Sequence, residues 1–437
     1  MGESIAVIGC QYGDEGKGKI VDYIIHAASG RLKFNSSVIP GSPEKPILVR
    51  RYQGGANAGH TVEDDNGHAY KLHQVPTGII TAETYNLDGK GMFIHPRKLI
   101  KEILSLQVEG IDISRDNFGI AANAHITFDY HTQDDQTSFN LKRHTSTGSG
   151  IKQTAVDKYG RVGMRFIEFL DPQLMTEILK EKRFPKGIPK RYGTTIERLV
   201  TSYDAEREIL AQFVVQEHEI MKKHGTILRV DEGANGVGID VDDGFNPGIT
   251  SSSPARAPRE SKTVIGVLKL YNSSVGGDRP FVSQMPTELE AVLRNQWGER
   301  GTTTGKDRDL GYFDAVFARY AMDVVGVNAI IGTCGDRMEA FAQIGAKPKI
   351  CVAYEIEGKK YDEWHPSFFR RDTLYKATPV LEEFDAWEHF TDESGSIPSK
   401  NAGRYVKRIE ELLGQKFNML GTGPKRGDII LRGEMLF

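Results

Sequence analysis

Residues 4–28 read SIAVIGCQYGDEGKGKIVDYIIHAA, and this stretch decides the fold. Ser4 to Gly9 is a short apolar run, as expected of a strand buried on both faces. A glycine-rich turn follows, and KIVDYIIHAA then reads as a helix. Strand, glycine loop and helix are the opening of a nucleotide-binding α/β unit. Backbone N–H groups of such a loop converge on phosphate at the helix N-terminus. Gly13, Gly16 and Gly18 supply the turn, while Lys17 and Lys19 add positive charge. Gly13-x4-Gly18-Lys19 has P-loop spacing, but Ile20 stands where that motif carries its Mg2+-binding Ser or Thr. Asp14 and Glu15 lie inside the loop. Carboxylates there repel phosphate unless they bind metal or move protons.

Strands and helices keep alternating outward from this unit. GMFIH (91–95) reads as a strand and RKLIKEILSL (97–106) as a helix. Leu99, Ile100, Ile103 and Leu104 are assigned to its apolar face. Residues 205–223 read as one long amphipathic helix. TILRVDEG (226–233) and TVIGVLKLY (263–271) read as core strands. Near the end come a helix over 313–325 and strands VNAIIG (327–332) and KICVAYEI (349–356). The pattern predicts an α/β fold with a large, mostly parallel central sheet flanked by helices and P-loop-NTPase-like nucleotide binding. One unit is expected over 1–437, with long active-site loops at about 129–150 and 251–262.

Composition narrows the function. The chain has 437 residues, with 56 Lys+Arg against 59 Asp+Glu, a net charge of −3. A nucleic-acid binder would carry a basic excess, so no such partner is expected. No apolar run approaches the roughly 20 residues needed to span a bilayer, and no secretory signal is expected. Cys10, Cys334 and Cys351 give neither a disulfide framework nor CxxC spacing, which fits a reducing, cytoplasmic setting.

Other segments are rich in glycine and polar groups. In RRYQGGANAGHT (50–61), Gly54, Gly55 and Gly59 allow close backbone approach, while Asn57 and His60 offer an amide and a proton donor. EGANGVGIDVDDGFNPGITSSS (232–253) follows a predicted strand, where sites gather in open α/β sheets. Asn235 there suits a purine edge or amide, and Thr250 a phosphate. Asp240, Asp242 and Asp243 lack calcium-loop spacing and read as a solvated turn. In GERGTTTGKDRDLGYFD (298–314), Thr302, Thr303 and Thr304 suit a small carboxylate and Arg308 a bidentate partner for it. LGTGPKRGDIILR (420–432) is a turn-rich segment before a strand.

As a set, GDEGKGK, QGGANAGHT, STGSG with DKYGRVGMR, EGANG with NPGITSS, GTTTGKDR and TGPKRGDIILR resemble the adenylosuccinate synthetase family, in that family's order and across the chain. The resemblance implies a homodimeric ligase. It would join L-aspartate to C6 of a 6-oxopurine nucleotide, hydrolysing a nucleoside triphosphate with one or two Mg2+ through a 6-phosphoryl intermediate. Asp14 would take the N1 proton, His60 would serve the departing β-phosphate, and Lys17 would lie near the transferred phosphate. Asp14 and the Gly59 carbonyl would hold Mg2+. Asn57, Thr147, Thr250, Asn235 and Val275 would bind the acceptor nucleotide, with Arg161 reaching its 5′-phosphate from the partner subunit. Thr302, Thr303, Thr304, Lys306 and Arg308 would bind aspartate. Gly13, Glu15, Gly16, Gly18, Lys19, Gly59, Thr61, Cys334, Asp336, Gly421 and Gly423 would bind the triphosphate.

Several positions depart from the family's pattern. Asn235 stands for a Gln, Lys306 for an Arg, Cys334 for the Lys of TKLD and Gly421 for a Ser. SSVGGD (273–278) replaces RVGAG. Two of the single changes touch the acceptor site and two the triphosphate's base pocket. Arg to Lys is not conservative where a planar fork is used. IMP with GTP is the leading substrate pair. The alternative is dGMP with ATP, as in the phage 2-aminoadenylosuccinate synthetase branch. Two rivals are a non-catalytic nucleotide sensor and a P-loop kinase or GTPase. The intact Asp14, Lys17 and His60 weigh against the first, and Ile20 against the second.

Overall fold

The computed structural model describes residues 3–30, 46–64, 66–137, 146–275, 279–301, 305–396 and 398–432. Thr302, Thr303, Thr304 and the 276–278 end of SSVGGD lie outside the described residues.

A ten-stranded sheet forms the centre. Its strands are β1 (Glu3–Gly9), β2 (Ile47–Arg51), β3 (Thr84–Asp88), β4 (Phe118–Ala121), β5 (Val214–Val215), β6 (Leu228–Gly236), β7 (Thr263–Lys269), β8 (Ala329–Thr333), β9 (Phe417–Gly421) and β10 (Ile429–Leu431). The spatial order is β5-β4-β3-β2-β6-β1-β7-β8-β9-β10. All neighbours are parallel except the edge pair β9 and β10. The chain leaves β1 in one direction for β2 to β5, returns to insert β6, then crosses to β7. The switch point therefore lies at the C-terminal ends of β6, β1 and β7. In an open α/β sheet this is where a ligand crevice forms.

β1 is central because both of its faces are apolar. Ile5 and Val7 pack with Ile20, Val21, Ile24 and Ile25 of α1 (Lys17–Ala28). Ala6 and Ile8 belong to the opposite core, with residues from the helix Ala315–Val325. This alternation is the two-residue period of a strand. Helix α2 (Pro96–Val108) starts with Pro96 at its first turn, where the missing N–H is harmless. Its buried apolar positions are Leu99, Ile100, Ile103 and Leu106, while Leu104 is 53% exposed. The helix is therefore turned so that the seven-residue spacing from Leu99 to Leu106 faces the core.

Residues 205–223 do not form one helix. Helix Asp204–Leu210 gives way to a short 3-10 turn, then to β5, then to helix Glu217–His224. The β-branched pair Val214–Val215 finds open backbone on β4, and that pairing overrides helical periodicity. KICVAYEI is a strand, but outside the central sheet. It pairs antiparallel with 359–361 and 378–383. GMFIH likewise contributes Met92–Ile94 to a small parallel sheet with Gly54–Gly55 and His125–Ile126. Finally, the 129–150 segment opens with the helix Asp129–Gln136, where His131 Nδ1 accepts from Phe128 N at 3.0 Å. Its 138–145 part lies outside the described residues, and 251–262 carries turns without helix or strand.

Among the described residues, no helix is long and apolar enough to cross a membrane.

Candidate active site

A cavity of about 900 Å³ opens at the switch point. Its floor is the loop after β1. Gly13, Asp14 and Gly16 there all have positive φ, at 97°, 59° and 93°. The side chain of Glu15 turns away from the cavity and under the loop. It accepts from Gly13 N at 2.8 Å, from Gln11 N at 3.2 Å and from Lys17 Nζ at 2.6 Å. A Cβ on Gly9 or Gly236 would lie 2.2 or 2.4 Å from this carboxylate. Both glycines are thus required by the buried anion. Glu15 reads as the pin of the loop. Lys17 lines the cavity while paired to Glu15.

Asp14 faces the cavity and pairs with Arg308. Arg308 also donates to Glu299 at 2.6 Å. Glu299 is fully buried and gathers further donors: Lys269 Nζ at 2.6 Å, Arg337 and the Tyr271 hydroxyl. Burial alone would raise the Glu299 carboxyl. Lys269, Arg308 and Arg337 overcome it and hold the group well below the usual carboxylate range. Lys269, Arg308 and Arg337 against Glu299 and Asp14 leave one positive charge in surplus, which suits an anionic ligand.

His60 approaches α1 closely, because a Cβ on Gly18 would sit 2.9 Å from its Cδ2. Its Nε2 lies 2.9 Å from Thr77 Oγ1 and 3.2 Å from Glu232 Oε1. Glu232 is itself fixed by Thr77 N at 2.9 Å. Burial pushes the His60 imidazole down to about 4, against the pull of Glu232. Burial thus favours the neutral imidazole, and Thr77 and Glu232 hold the ring in one orientation.

Asn57, Gly59, Thr61, Thr147, Asn235, Thr250, Val275 and Lys306 also line the cavity. Asn235 has φ 63° and its Nδ2 is buried with no hydrogen-bond partner among the described residues. An unsatisfied buried donor is costly unless a ligand completes it. On the far wall are Cys334, at φ 61°, Asp336, Gly421 and Gly423. Lys19 lines this part, but its ammonium is engaged by the carbonyls of Gly423 at 2.6 Å and Asp428 at 2.9 Å. It ties the C-terminal turn to α1, as does Arg426 through Asp22 at 2.6 Å.

Arg161 is not part of the lining. It is exposed, at φ 62°, just after the helix Ile151–Tyr159. The 240–243 turn differs from its expected solvated form. Asp240 is fully buried and caps the turn, accepting from Asp242 N at 2.7 Å and Ala255 N at 2.8 Å, while Asp242 pairs with Arg256 at the surface.

Sequence reasoning passed over Glu232, Glu299, Lys269 and Arg337 as individual residues. One signal was available: Lys269 closes the otherwise apolar strand run TVIGVLK, and a lysine there needs a partner. Among the described residues, no group of three His, Cys, Asp or Glu could hold a metal ion. Mg2+ does not require such a group, because it is commonly held by one or two protein oxygens plus substrate phosphates.

The adenylosuccinate synthetase family profile matches residues 6–430. An adenylosuccinate synthetase from Caldanaerobacter subterraneus subsp. tengcongensis is 33% identical over 448 residues, covering 97% of this chain and 98% of that one. One from Rhodococcus erythropolis is 33% identical over 456 residues, covering 99% of each. The fully ligated adenylosuccinate synthetase of Plasmodium falciparum superposes with a TM-score of 0.82 at 24% identity, over 99% of this chain and 100% of that one. The succinoaminodeoxyadenylate synthetase of cyanophage S-2L, solved with dGMP and dATP, gives a TM-score of 0.56 at 17% identity, over 99% and 95%.

Proposed function

The chain belongs to the adenylosuccinate synthetase family and is a carbon–nitrogen ligase, and from that premise we propose that it joins L-aspartate to C6 of IMP with hydrolysis of GTP. The observation that supports this reading most directly is the convergence of Asp14, Lys17 and His60 on one cavity whose far wall carries Asp336.

The lactam oxygen of a 6-oxopurine is a poor leaving group, so it must first be phosphorylated. Asp14 takes the N1 proton, which makes O6 nucleophilic toward the γ-phosphate. Its pair with Arg308 opens when the substrates replace both partners: N1–H at Asp14, and a carboxylate of aspartate at Arg308. Lys17 stands beside the transferring group, and His60, oriented by Glu232, meets the β-phosphate side. Mg2+ bound with the triphosphate would neutralise developing charge, and Asp14 with the Gly59 carbonyl would hold it. The amine of aspartate then displaces phosphate from C6. Lys306, with Thr302, Thr303 and Thr304, would bind aspartate, and the buried donor of Asn235 turns to the purine. Asp336 accepts from the donor's base, and Cys334, Gly421 and Gly423 flank it.

The active form is a homodimer in which the partner subunit's Arg161 reaches the 5′-phosphate held by Thr147 and Thr250. Arg161 lies off its own cavity, and the helix beside it exposes Val156 and Tyr159, at 61% and 77%. Mixing Arg161→Leu protein with Asp14→Ala protein restores activity if the site is shared. Failure of mixed dimers to turn over refutes the arrangement.

A second reading is favoured by Cys334 and Lys306. A base pocket without the lysine of TKLD, and a Lys306 that stands where the family's arginine would meet the acceptor's ribose as well as aspartate, both suit dGMP with an adenine donor such as ATP; the cyanophage relative was solved with dGMP and dATP. Phosphate release with aspartate and Mg2+, using IMP, dIMP, GMP or dGMP and either GTP or ATP, decides between them. IMP with GTP alone supports the first, dGMP the second, and no turnover of any pair refutes both. The unpaired thiols Cys10, Cys334 and Cys351 are consistent with a reducing, cytoplasmic setting.

A further inference from the structure

We propose that Arg279 is a positioning residue for the acceptor nucleotide, joining the two cavity walls that hold its ribose-phosphate end. This rests on the reading of that end given above. The segment that resembles RVGAG carries Ser274 in place of an arginine before Val275. The guanidinium of Arg279 returns to that place from five residues downstream, as its number shows. Its Nη2 donates to Ser274 Oγ and to the Val275 carbonyl. Its Nη1 donates to the Gly248 carbonyl at 2.8 Å.

Gly248 belongs to the 246–251 turn, which lines the cavity and carries Thr250. Val275 lines the same cavity from the end of the strand Asn272–Val275. One planar cation therefore bridges the strand end to the turn. A lysine's single ammonium does not reproduce this fork. The packing is close as well, since a Cβ on Gly248 would lie 3.1 Å from Arg279 Cβ. The guanidinium carbon stands 5.7 Å from the ring centroid of Tyr12, another cavity residue, which fixes its third side.

Arg279 itself borders the cavity, but its named donors all go to protein oxygens, so it acts through Thr250 and Val275. Its loss should loosen the acceptor's ribose-phosphate end and leave the aspartate and triphosphate ends in place. Charge-assisted hydrogen bonds of this kind support a change of about tenfold in acceptor binding.

The test uses the full-length enzyme with Arg279→Gln, Arg279→Lys and the swap Ser274→Arg/Arg279→Gln. Steady-state KM is measured for each substrate in turn, with thermal melting as a control for folding. Equilibrium binding of IMP and of dGMP is measured separately, so that a failure of the catalytic reading is distinguishable from a failure of this one. For Arg279→Gln, acceptor KM or Kd rises about tenfold, while KM for aspartate and triphosphate and kcat stay within about threefold. The swap recovers most of the loss, and Arg279→Lys falls between. Equal rises in all three KM values overturn the proposal. So does unchanged acceptor binding, or a swap no better than Arg279→Gln. If Arg279→Gln melts before assay temperature, the Arg279→Lys and swap proteins decide by the same criteria.

Discussion

Replacing Glu299 with Gln removes one charge and almost no volume from the centre of the site. Glu299 is fully buried, and Lys269, Arg308 and Arg337 all converge on it. With Gln, three cations remain without their shared anion. Removing one partner from a buried ionic network costs about 3–5 kcal/mol, because the remaining charges stay desolvated. The cost here belongs toward the upper end, since Lys269 is itself buried and cannot reach water. Urea unfolding followed by tryptophan fluorescence suits the measurement, because Trp297 lies 4.3 Å from Tyr271, centroid to centroid, within the cluster. A second substitution, Lys269→Met, should return at least about 1 kcal/mol in the Gln background by restoring charge balance. The pH behaviour has a definite sign. A carboxyl held below its unfolded value contributes stability above that value and loses it only as pH falls through the folded one. The gap between wild type and variant therefore holds from neutrality to pH 5 and narrows in acid. A Glu299→Gln protein that loses less than about 1 kcal/mol, or gains nothing from Lys269→Met, would show that the cluster is not a coupled network.

Asp14→Ala should lower turnover by at least about 10²-fold with little loss of stability, as expected of a general base. Retention of a tenth of the activity would remove Asp14 from its assigned role. Leu106→Ala should destabilise by about 2–5 kcal/mol and Leu104→Ala by no more than about 0.5 kcal/mol in chemical denaturation. Similar losses at both positions would mean that the buried face of α2 is misassigned. Asp314 is buried at the start of the helix Ala315–Val325, and burial raises its carboxyl to about 6. A raised carboxyl stabilises below its unfolded value, and that contribution is lost as pH rises through 6, a span worth about 3 kcal/mol. Stability relative to Asp314→Asn should therefore shift in favour of the wild type as pH falls from 7.5 to 4.5. A difference that does not change with pH would refute this.

What the sequence discloses follows how local each feature is. The β1, glycine loop and α1 unit is legible because its signals are consecutive. Asp14, Lys17 and His60 could be picked out because they sit in glycine-rich segments without apolar periodicity. Other features depend on partners far along the chain. KICVAYEI looks like any core strand, and only its pairing with 378–383 removes it from the central sheet. Val214–Val215 becomes a strand because β4 offers an open edge. Glu15 looks like a site carboxylate until the loop is seen to close over it. Glu299, Lys269 and Arg337 lie on separate segments, so their joint charge exists only after folding. Arg161 is exposed and lies outside the cavity of its own chain, so nothing local to its segment marks it as a site residue.

The order of the strands also has a temporal consequence. Ile5 leaves the ribosome early, yet its neighbours in the sheet are Val230 on one side and Thr263 on the other. At a synthesis rate of about 5–20 residues per second, β1 waits roughly 10–50 s for strands to sit between. During that interval the apolar run over residues 5–8 has no permanent place in the nascent chain. The stretch that opens the nucleotide site is therefore made long before the two strands that flank it. A ribosome-bound fragment ending before β7 should hold β1 in a form that chaperones can capture and nucleotides cannot rescue.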